Sequence, residues 1–417
     1  MNRRKIRFIY TLVLLTLWPT AFFGAAKMGW VWQPLAEAGD DEQFMQAVVS
    51  ELKRDAPPNA ALALIQNGVL QDEFFVSQGQ PIDRNTLFQV MSLSKWVTAW
   101  VVLTLIESQD LQLDTPVSEY LSVWKLPESE YDLDGVTVRR LLSHSAGVNS
   151  GDFEGFLPNQ DMQSLVEFMT NPADGGAHGN VRIDQYEPGT KMRYSNNGFA
   201  LLQHIVEQVT GEEFEDYAER KVLKPLQMAT STFDSEIAKT RSLTKFYDTN
   251  GRLSIHRRFG AVAPSSLYTS VTDLGKFVLA HVSGDTDELP GRGVLKPETV
   301  ELLQRVQTPE GSDLRGLGVA IYGNTDAYTF GHDGVHFSDP SISTDARINP
   351  RSRNGIIVLV SGRRVLASKL AMEWDYWEMG RVQSMLIVFK SWKIVILGWF
   401  AIIIAMIALR RIRGTRS

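Results

Sequence analysis

Apolar and polar residues near the start of the chain follow two periods, one typical of helices and one typical of strands. Over 40–55 the apolar positions recur at helical spacing and a proline pair follows, which predicts an amphipathic helix. Two apolar runs, 60–66 and 69–76, then flank Asn67-Gly68. Because Asn-Gly is the strongest short signal for a hairpin turn, these two runs are predicted to be paired strands.

Helical spacing dominates the middle of the chain, and strand-like runs dominate its last third. Helices are predicted from Ser92 onwards and over 137–143, 163–169, 199–210, 273–281, 298–306 and 364–374. Strands are predicted over 316–322, 327–330, 341–348 and 355–360. Strands near both ends of the body with helices between them predict an α+β fold. The expected fold is an antiparallel β-sheet flanked by helices, with an all-helical region at roughly 110–245.

Both ends of the chain carry an uncharged apolar segment. Residues 8–26 follow a basic stretch, so residues 1–28 fit a signal peptide or a signal anchor. Residues 385–409 are predicted to be a C-terminal transmembrane helix, because the basic tail 410–417 follows the apolar run at once. Basic residues at both ends predict two cytoplasmic tails, with the body, 42–373, on the periplasmic side of the cell membrane. The lipid bilayer is therefore a predicted partner.

Composition excludes several other kinds of site. The 417 residues are 44% hydrophobic and 22% charged, which is ordinary for a globular protein. A net charge of -6 argues against a nucleic-acid partner. There is no cysteine, which excludes disulfides, zinc thiolate sites and a cysteine nucleophile. The 7 histidines are scattered and form no H-E-x-x-H pattern, so we predict neither a metal nor a cofactor. The oligomeric state stays open.

The first candidate for catalysis is the S-x-x-K element Ser92-Leu93-Ser94-Lys95, at a predicted helix start. Its serine and lysine are spaced i and i+3 and therefore share one face of the helix. A serine hydroxyl needs a base within reach, and a lysine can be that base only if burial or a nearby cation lowers its pKa. The same letters at Ser50 to Lys53 lie inside a helix pattern and are interpreted as a solvated face.

The second candidate is Tyr194-Ser195-Asn196, on a predicted loop before a helix. A tyrosine in this place can relay protons if a neighbouring lysine cation lowers its pKa. The amide of Asn196 can hold the lysine or a substrate carbonyl. Taken alone, Tyr194 reads as a half-buried core residue, so its candidacy depends on the other motifs.

The third candidate is His332-Asp333-Gly334, directly after the strand predicted to end at Phe330. A glycine on an edge strand lets a substrate backbone approach closely. The backbone N–H of Val335 can then form an oxyanion hole with that of Ser92. These three motifs together predict a site for acyl transfer.

The motifs, with Leu141 to Gly147 between the first and second, occur in an order that resembles the beta-lactamase-related serine hydrolases. These are the class C beta-lactamases, the D-alanyl-D-alanine carboxypeptidases and their esterase relatives. The resemblance implies an active site in the cleft between the sheet and the helical region. It further implies roles for the motif residues: Ser92 as nucleophile, Lys95 with Tyr194 as general base, Asn196 positioning the lysine or the acyl side chain, His332 and Gly334 lining the substrate strand, and His144 holding a loop.

The third motif departs from the family, whose beta-lactamases usually carry lysine where this chain has His332. An unperturbed histidine has a pKa of about 6.5 and is mostly neutral at pH 7. This disfavours a beta-lactam or D-alanyl carboxylate and favours esters, amides or other peptides. The stretch from Val335 to Pro340 also lacks a glycine that is common in the family.

The sequence therefore predicts a membrane-anchored serine hydrolase that forms an acyl-enzyme on a small-molecule or peptide substrate. An ester, an amide, a peptide or a beta-lactam would each suit such a site. The alternative is a penicillin-binding or sensor-like membrane receptor that uses the same cleft without turnover. Slow deacylation would then leave a stable covalent signal.

Overall fold

The computed structural model describes residues 3–174, 176, 179–286, 288–324, 327–336 and 340–414. The chain divides into two units, one of Val49–Ala371 and one of Met1–Val48 with Met372–Ser417. The helices are α1 Arg3–Lys27, α2 Asp41–Asp55, α3 Ser94–Glu107, α4 Val138–Leu142, α5 Leu165–Thr170, α6 Asn196–Thr210, α7 Phe214–Ala218, α8 Ser235–Lys239, α9 Val271–Leu279, α10 Pro297–Gln304, α11 Leu366–Met379 and α12 Ser384–Gly414. The strands are β1 Asn59–Gln66, β2 Val69–Ser77, β3 Phe88–Gln89, β4 Tyr268–Thr269, β5 Ala320–Gly323, β6 Tyr328–His336, β7 Ile342–Ile348 and β8 Gly355–Ser361.

The main sheet has six strands in the order β2-β1-β8-β7-β6-β5. Each neighbouring pair is antiparallel, and β1 from the start of the body lies beside β8 from its end. Helices α4 to α8 lie between the two groups of strands in the chain. The predicted α+β fold, with a sheet built from both ends of the body and a helical insertion, is confirmed.

The turn between β1 and β2 agrees with its sequence signal. Asn67 and Gly68 have φ of 50° and 87°, so both occupy the left-handed region that a tight hairpin turn demands. Asparagine and glycine tolerate this conformation better than other residues do. The hairpin register follows, with Gln66 opposite Val69.

Helix α3 lies in the core of the unit Val49–Ala371. Every residue from Ser94 to Leu103 is buried, so this part of the helix is covered on all its faces. The indole N–H groups of Trp96 and Trp100 both donate to Nε2 of His281, at 2.9 and 2.8 Å. Because α3 is packed on all sides and its tryptophans are hydrogen-bonded, the motif at its start is held on a rigid element.

The third motif lies inside a strand, whereas the sequence placed it after one. Strand β6 continues to His336 because it pairs with β7 along its whole length, from Phe330 opposite Ile348 to His336 opposite Ile342. The glycines at 331 and 334 weaken the local strand signal, and only the pairing with β7 overrides it. Strand β5, Ala320–Gly323, is shorter than the strand predicted over 316–322.

The other unit contains two helices long and apolar enough to cross a membrane. These are Ile9–Lys27 in α1 and Ser384–Ala408 in α12. Helix α12 continues to Gly414, so most of the predicted basic tail is helical. Residues 415–417 lie outside the described part of the chain.

Candidate active site

Ser92 lies in a 3-10 turn, Met91–Leu93, that leads into α3. The α-helix itself begins two residues after the predicted start, at Ser94. Met91 has a φ of 50°, a left-handed conformation that costs a non-glycine residue about 1–3 kcal/mol. The Ser94 hydroxyl fixes this strained turn, because it donates to the Met91 carbonyl at 2.5 Å and accepts from Leu267 N at 2.9 Å.

Lys95 is completely buried one turn after Ser92. Its Nζ lies 3.1 Å from Ser92 Oγ, 2.8 Å from Asn196 Oδ1 and 2.9 Å from the Pro264 carbonyl. Burial lowers the pKa of Lys95 well below its usual value, the Asp333 carboxylate opposes this, and the charge of Arg315 adds to it.

These contacts suit a neutral amine as well as an ammonium group. A neutral amine has two N–H donors, which the Asn196 and Pro264 oxygens can accept. Its lone pair is then directed at the third neighbour, Ser92 Oγ, whose hydroxyl can donate to it. The geometry therefore permits Lys95 to take the proton of Ser92.

Tyr194 lies beside this pair, with its ring centroid 4.9 Å from Lys95 Nζ. Its hydroxyl is buried and has no hydrogen-bond partner among the described residues. Burial raises the pKa of Tyr194, although the nearby Ser92 hydroxyl opposes part of the rise. The proton relay predicted from the sequence depends on a lysine cation that lowers the pKa of Tyr194. In the structure burial instead raises this pKa, so the phenol keeps its proton at neutral pH.

The loop that carries Tyr194 is held by His144 and by the start of α6. Ser195 N donates to His144 Nδ1 at 3.1 Å, and the rings of His144 and Tyr194 lie 4.4 Å apart. The predicted structural role of His144 is therefore confirmed. Asn196 opens α6, and its Nδ2 donates to the Gly151 carbonyl at 2.7 Å, which directs its Oδ1 towards Lys95.

His332 lies on β6 at the edge of the same site. Its ring centroid is 6.1 Å from that of Tyr194, its Nδ1 is 2.5 Å from the Asp333 carbonyl, and its Nε2 is buried without a described partner. Burial lowers the pKa of His332 to about 3, the Asp333 carboxylate opposes this, and the Arg315 and Lys95 charges contribute. His332 is thus neutral at pH 7, as the sequence predicted, and over a wider pH range than an unperturbed histidine.

The part of β6 that follows Gly331 is not paired with β5 and borders the site. Strand β5 pairs with β6 only from Tyr328 to Gly331, so the part of β6 that follows extends past its neighbour. Val335 is half-buried there, opposite Ser343 of β7. Residues 337–339 of the stretch that lacks the family's glycine lie outside the described residues.

Gly334 lies against the backbone that precedes the nucleophile. A Cβ atom added to Gly334 would be 2.0 Å from the Val90 carbonyl oxygen and 2.5 Å from Thr344 Oγ1. Thr344 Oγ1 itself donates to that carbonyl at 2.8 Å. A glycine is therefore required for β6 to approach the Ser92 turn this closely.

We expect Gly334→Ala to displace the Ser92 turn and lower kcat/KM for a simple ester by about 10²-fold, as misplacement of about 1 Å can do. The measurement is ester hydrolysis, with thermal unfolding to show that the fold persists. Gly275→Ala is the matched control, because its added Cβ would meet only the flexible end of Leu70, at 3.3 Å. Equal losses in both variants would contradict a specific role for Gly334.

Arg315 is a component of the site that sequence reasoning missed. Its guanidinium carbon is 5.9 Å from the Tyr194 ring centroid, and its Nε and Nη1 are buried without hydrogen-bond partners among the described residues. Its charge lowers the pKa values of Lys95, Tyr194 and His332. Arg315 precedes β5 and belongs to no motif, so its position became apparent only from the fold.

A group of acidic residues elsewhere offers the spacing of a cation site. Carboxylate oxygens of Glu207, Glu213 and Glu215 lie within 4.8 Å of one another. Burial raises the pKa of Glu207 to about 7, and the charges of the other two contribute. A proton held by Glu207 is sufficient to explain how the three carboxylates lie together.

Comparison with known proteins places these observations in a family. The model of the family described as Beta-lactamase matches residues 44–375. Penicillin-binding protein 4 of Amycolatopsis lactamdurans is 31% identical over 178 residues, which are 42% of this chain and 44% of that protein. Protein flp of Staphylococcus aureus is 22% identical over 336 residues, which are 77% of this chain and 63% of that protein. The chain therefore spans less than two thirds of the length of either relative.

A solved structure shows the same fold. The octameric penicillin-binding protein homologue from Pyrococcus abyssi superposes with a TM-score of 0.66 at 25% identity. The match covers 82% of this chain and 78% of that one. The likeness thus extends over most of both chains.

Proposed function

Because the chain belongs to the beta-lactamase family, we propose that it is a membrane-anchored serine hydrolase that works through an acyl-enzyme on Ser92. The observation that carries the proposal is the environment of Lys95, a buried amine 3.1 Å from Ser92 Oγ with two other oxygens for its N–H groups. A lysine with a lowered pKa is the base that a serine nucleophile needs.

The proposed reaction begins when the neutral Lys95 amine accepts the Ser92 proton as Oγ attacks the substrate carbonyl carbon. The negative charge moves to the carbonyl oxygen, which the N–H groups of Ser92 and Val335 would stabilise. Lys95 returns the proton to the leaving group as its bond to the carbonyl carbon breaks, and an ester on Ser92 remains. Water then hydrolyses this ester by the same steps and restores the Ser92 hydroxyl.

Tyr194 would act as a proton relay in this scheme. A buried phenol with a raised pKa keeps its proton at neutral pH, so it can donate to a leaving group but is not itself the resting base. Its hydroxyl lies near that of Ser92, which lowers its pKa in part, and makes no other hydrogen bond among the described residues. Lys95 can reprotonate it after the donation.

Turnover of a chromogenic ester such as nitrophenyl acetate tests this function. Detergent-solubilised full-length protein should release many equivalents of nitrophenol per equivalent of protein. A single burst of one equivalent would instead indicate the receptor that acylates without turnover. Absence of any nitrophenol release would contradict both functions.

We further propose that the substrate carries an anionic group and that Arg315 binds it. The neutral His332 cannot supply a fixed cation for a carboxylate, but Arg315 lies 5.9 Å from the same Tyr194 ring and its charge acts on His332. An arginine stays charged at all relevant pH values, and its N–H groups match the geometry of a carboxylate. Two of them, Nε and Nη1, are buried and unused among the described residues.

We expect Arg315→Gln to raise KM for a carboxylate-bearing ester by about 10-fold to 100-fold, since a hydrogen bond to a charged group contributes about 1.5–3 kcal/mol. The kcat/KM for the matched uncharged ester, measured on the pH plateau of each variant, should change far less. Arg305→Gln is the control, because Arg305 pairs with Glu301 on the surface. Equal losses on both esters would show that Arg315 acts on the base and not on the substrate.

The membrane placement is also a proposal. Helices α1 and α12 would cross the bilayer, and the basic residues at the two ends of the sequence would stay in the cytoplasm. The hydrolase body would then act on the periplasmic side. Cell fractionation and protease protection of spheroplasts test this topology.

A further inference from the structure

The two apolar helices α1 and α12 are hydrogen-bonded to each other near their middles. Trp399 Nε1 of α12 donates to the Leu15 carbonyl of α1 at 2.8 Å. Trp18 Nε1 of α1 donates to the Val395 carbonyl of α12 at 3.2 Å. The partner number falls in α12 as the residue number rises in α1, so the helices are antiparallel.

A glycine in α12 makes room for this contact. A Cβ atom added to Gly398 would be 2.2 Å from Trp18 Nε1 and 2.3 Å from the adjoining ring carbon. Small residues at helix interfaces in membranes allow this kind of close approach. Any larger residue at 398 would therefore force the Trp18 ring to move.

The contact face follows helical spacing along both helices. On α1 it runs through Trp18 to Phe22 and Ala26, of which the last two are buried. On α12 it includes Ile387 and Val395, which are also buried. The opposite faces are apolar and exposed, with Leu12, Leu14, Leu17, Leu397, Phe400 and Ile404 among their residues. This is the arrangement of two helices that contact each other on one side and lipid on the other.

The small residues Gly24-Ala25-Ala26, which would suit cleavage of a signal peptide, belong to the same packed structure. Residues 24–26 lie in the last turn of α1, and Ala26 is fully buried. The segment that follows α1 is also held in place, because the Tyr376 hydroxyl of α11 donates to the Trp32 carbonyl at 2.7 Å. Cleavage after Ala26 would remove α1 from the interface. The space beside Gly398 that the Trp18 ring fills would then be empty.

We propose that α1 is a retained anchor and forms an antiparallel pair of transmembrane helices with α12. At about 1.5 Å per residue, the apolar parts of α1 and α12 are roughly 28 and 37 Å long, enough for a hydrocarbon core of about 30 Å. The antiparallel arrangement also brings both basic chain ends to one side of the membrane. The inference uses the proposed membrane placement but not the proposed catalysis.

The first test is the N-terminus of the mature protein. Full-length protein with a C-terminal tag is purified from membranes, and its N-terminal peptide and intact mass are determined. We expect the mass of the whole 417-residue chain, 46.8 kDa plus the tag. A chain that begins near residue 27 would overturn the proposal, whatever the hydrolase assay shows.

The second test is disulfide cross-linking, which the absence of native cysteine makes clean. Thr11 and Ile402 are half-buried, and helical spacing puts each of them one turn from a contact residue, Leu15 and Gly398 respectively. We expect the double variant Thr11→Cys and Ile402→Cys to oxidise within one chain and become resistant to a maleimide-polyethylene glycol label. The control pair, Leu12→Cys and Ile404→Cys, lies on exposed faces and should stay labelled.

The variant Gly398→Leu tests whether the cross-link depends on the close contact between Gly398 and the Trp18 ring. In the Thr11→Cys and Ile402→Cys background it should lower the rate of cross-linking several-fold, whereas Ala401→Leu, on an exposed part of α12, should not. Equal rates in these two variants would contradict the packing of Trp18 against Gly398. A product of doubled mass instead of an internal cross-link would show that the helices pair between chains.

Discussion

Ser92→Ala is expected to abolish covalent labelling of the protein by a fluorophosphonate and to lower ester hydrolysis by at least about 10³-fold. The substitution removes the oxygen atom on which we propose that the acyl-enzyme forms. It leaves the surrounding hydrogen bonds of Ser94, Asn196 and Pro264 in place, so the fold should persist. Intact-mass spectrometry after incubation with the reagent gives the readout, with one adduct on the wild-type chain and none on the variant.

The chain provides its own control for this experiment. Ser50 and Lys53 repeat the letters of the motif, but Ser50 is an exposed residue inside α2. Ser50→Ala should therefore label and turn over like the wild type. Labelling that survives in Ser92→Ala and maps to another serine would show that the nucleophile is wrongly assigned.

The sequence predicted the elements whose local pattern and tertiary environment agree. At the hairpin around Asn67-Gly68 the two agree, because the turn residues and the flanking apolar runs favour the same register of β1 and β2. Ser92 and Lys95 also needed only local information, since i and i+3 spacing at a helix start brings them together. The relation of Tyr194 to this pair came from the resemblance and not from spacing.

Other features depend on contacts that are distant in sequence. The extension of β6 through Gly334 follows from pairing with β7, which the sequence of β6 alone does not reveal. The burial of α3 from Ser94 to Leu103 follows from packing on all its faces, and a pattern of apolar positions does not show how many layers cover a helix. Arg315 is the clearest case, because only the fold brings its guanidinium to Tyr194.

The electrostatic state of the site was predicted only in part. The sequence required burial or a cation to lower the pKa of Lys95, and the structure provides both, through its full burial and through Arg315. The same burial raises the pKa of Tyr194, which the sequence argument did not anticipate. Burial disfavours the charged form of each group, so an amine and a phenol shift in opposite directions.

This difference favours Lys95 over Tyr194 as the proposed resting base and leads to the second large effect. Lys95→Met and Lys95→Arg should each lower acylation by about 10³-fold or more. Methionine has no basic atom, and a guanidinium does not lose its proton in a protein. The variant His332→Ala should lose far less, because a histidine with a pKa of about 3 exchanges no proton near neutral pH.

The pH dependence of acylation separates this assignment from its alternatives. The neutral amine is the active form, so the acylation rate should rise with pH through the lowered pKa of Lys95 and then reach a plateau. Because the Asp333 carboxylate raises that pKa, Asp333→Asn should move the rising limb to lower pH. Arg315→Gln should move it to higher pH, since the Arg315 charge lowers the same pKa. Shifts in the opposite directions, or Lys95→Met activity within tenfold of wild type, would transfer the role of base to another group.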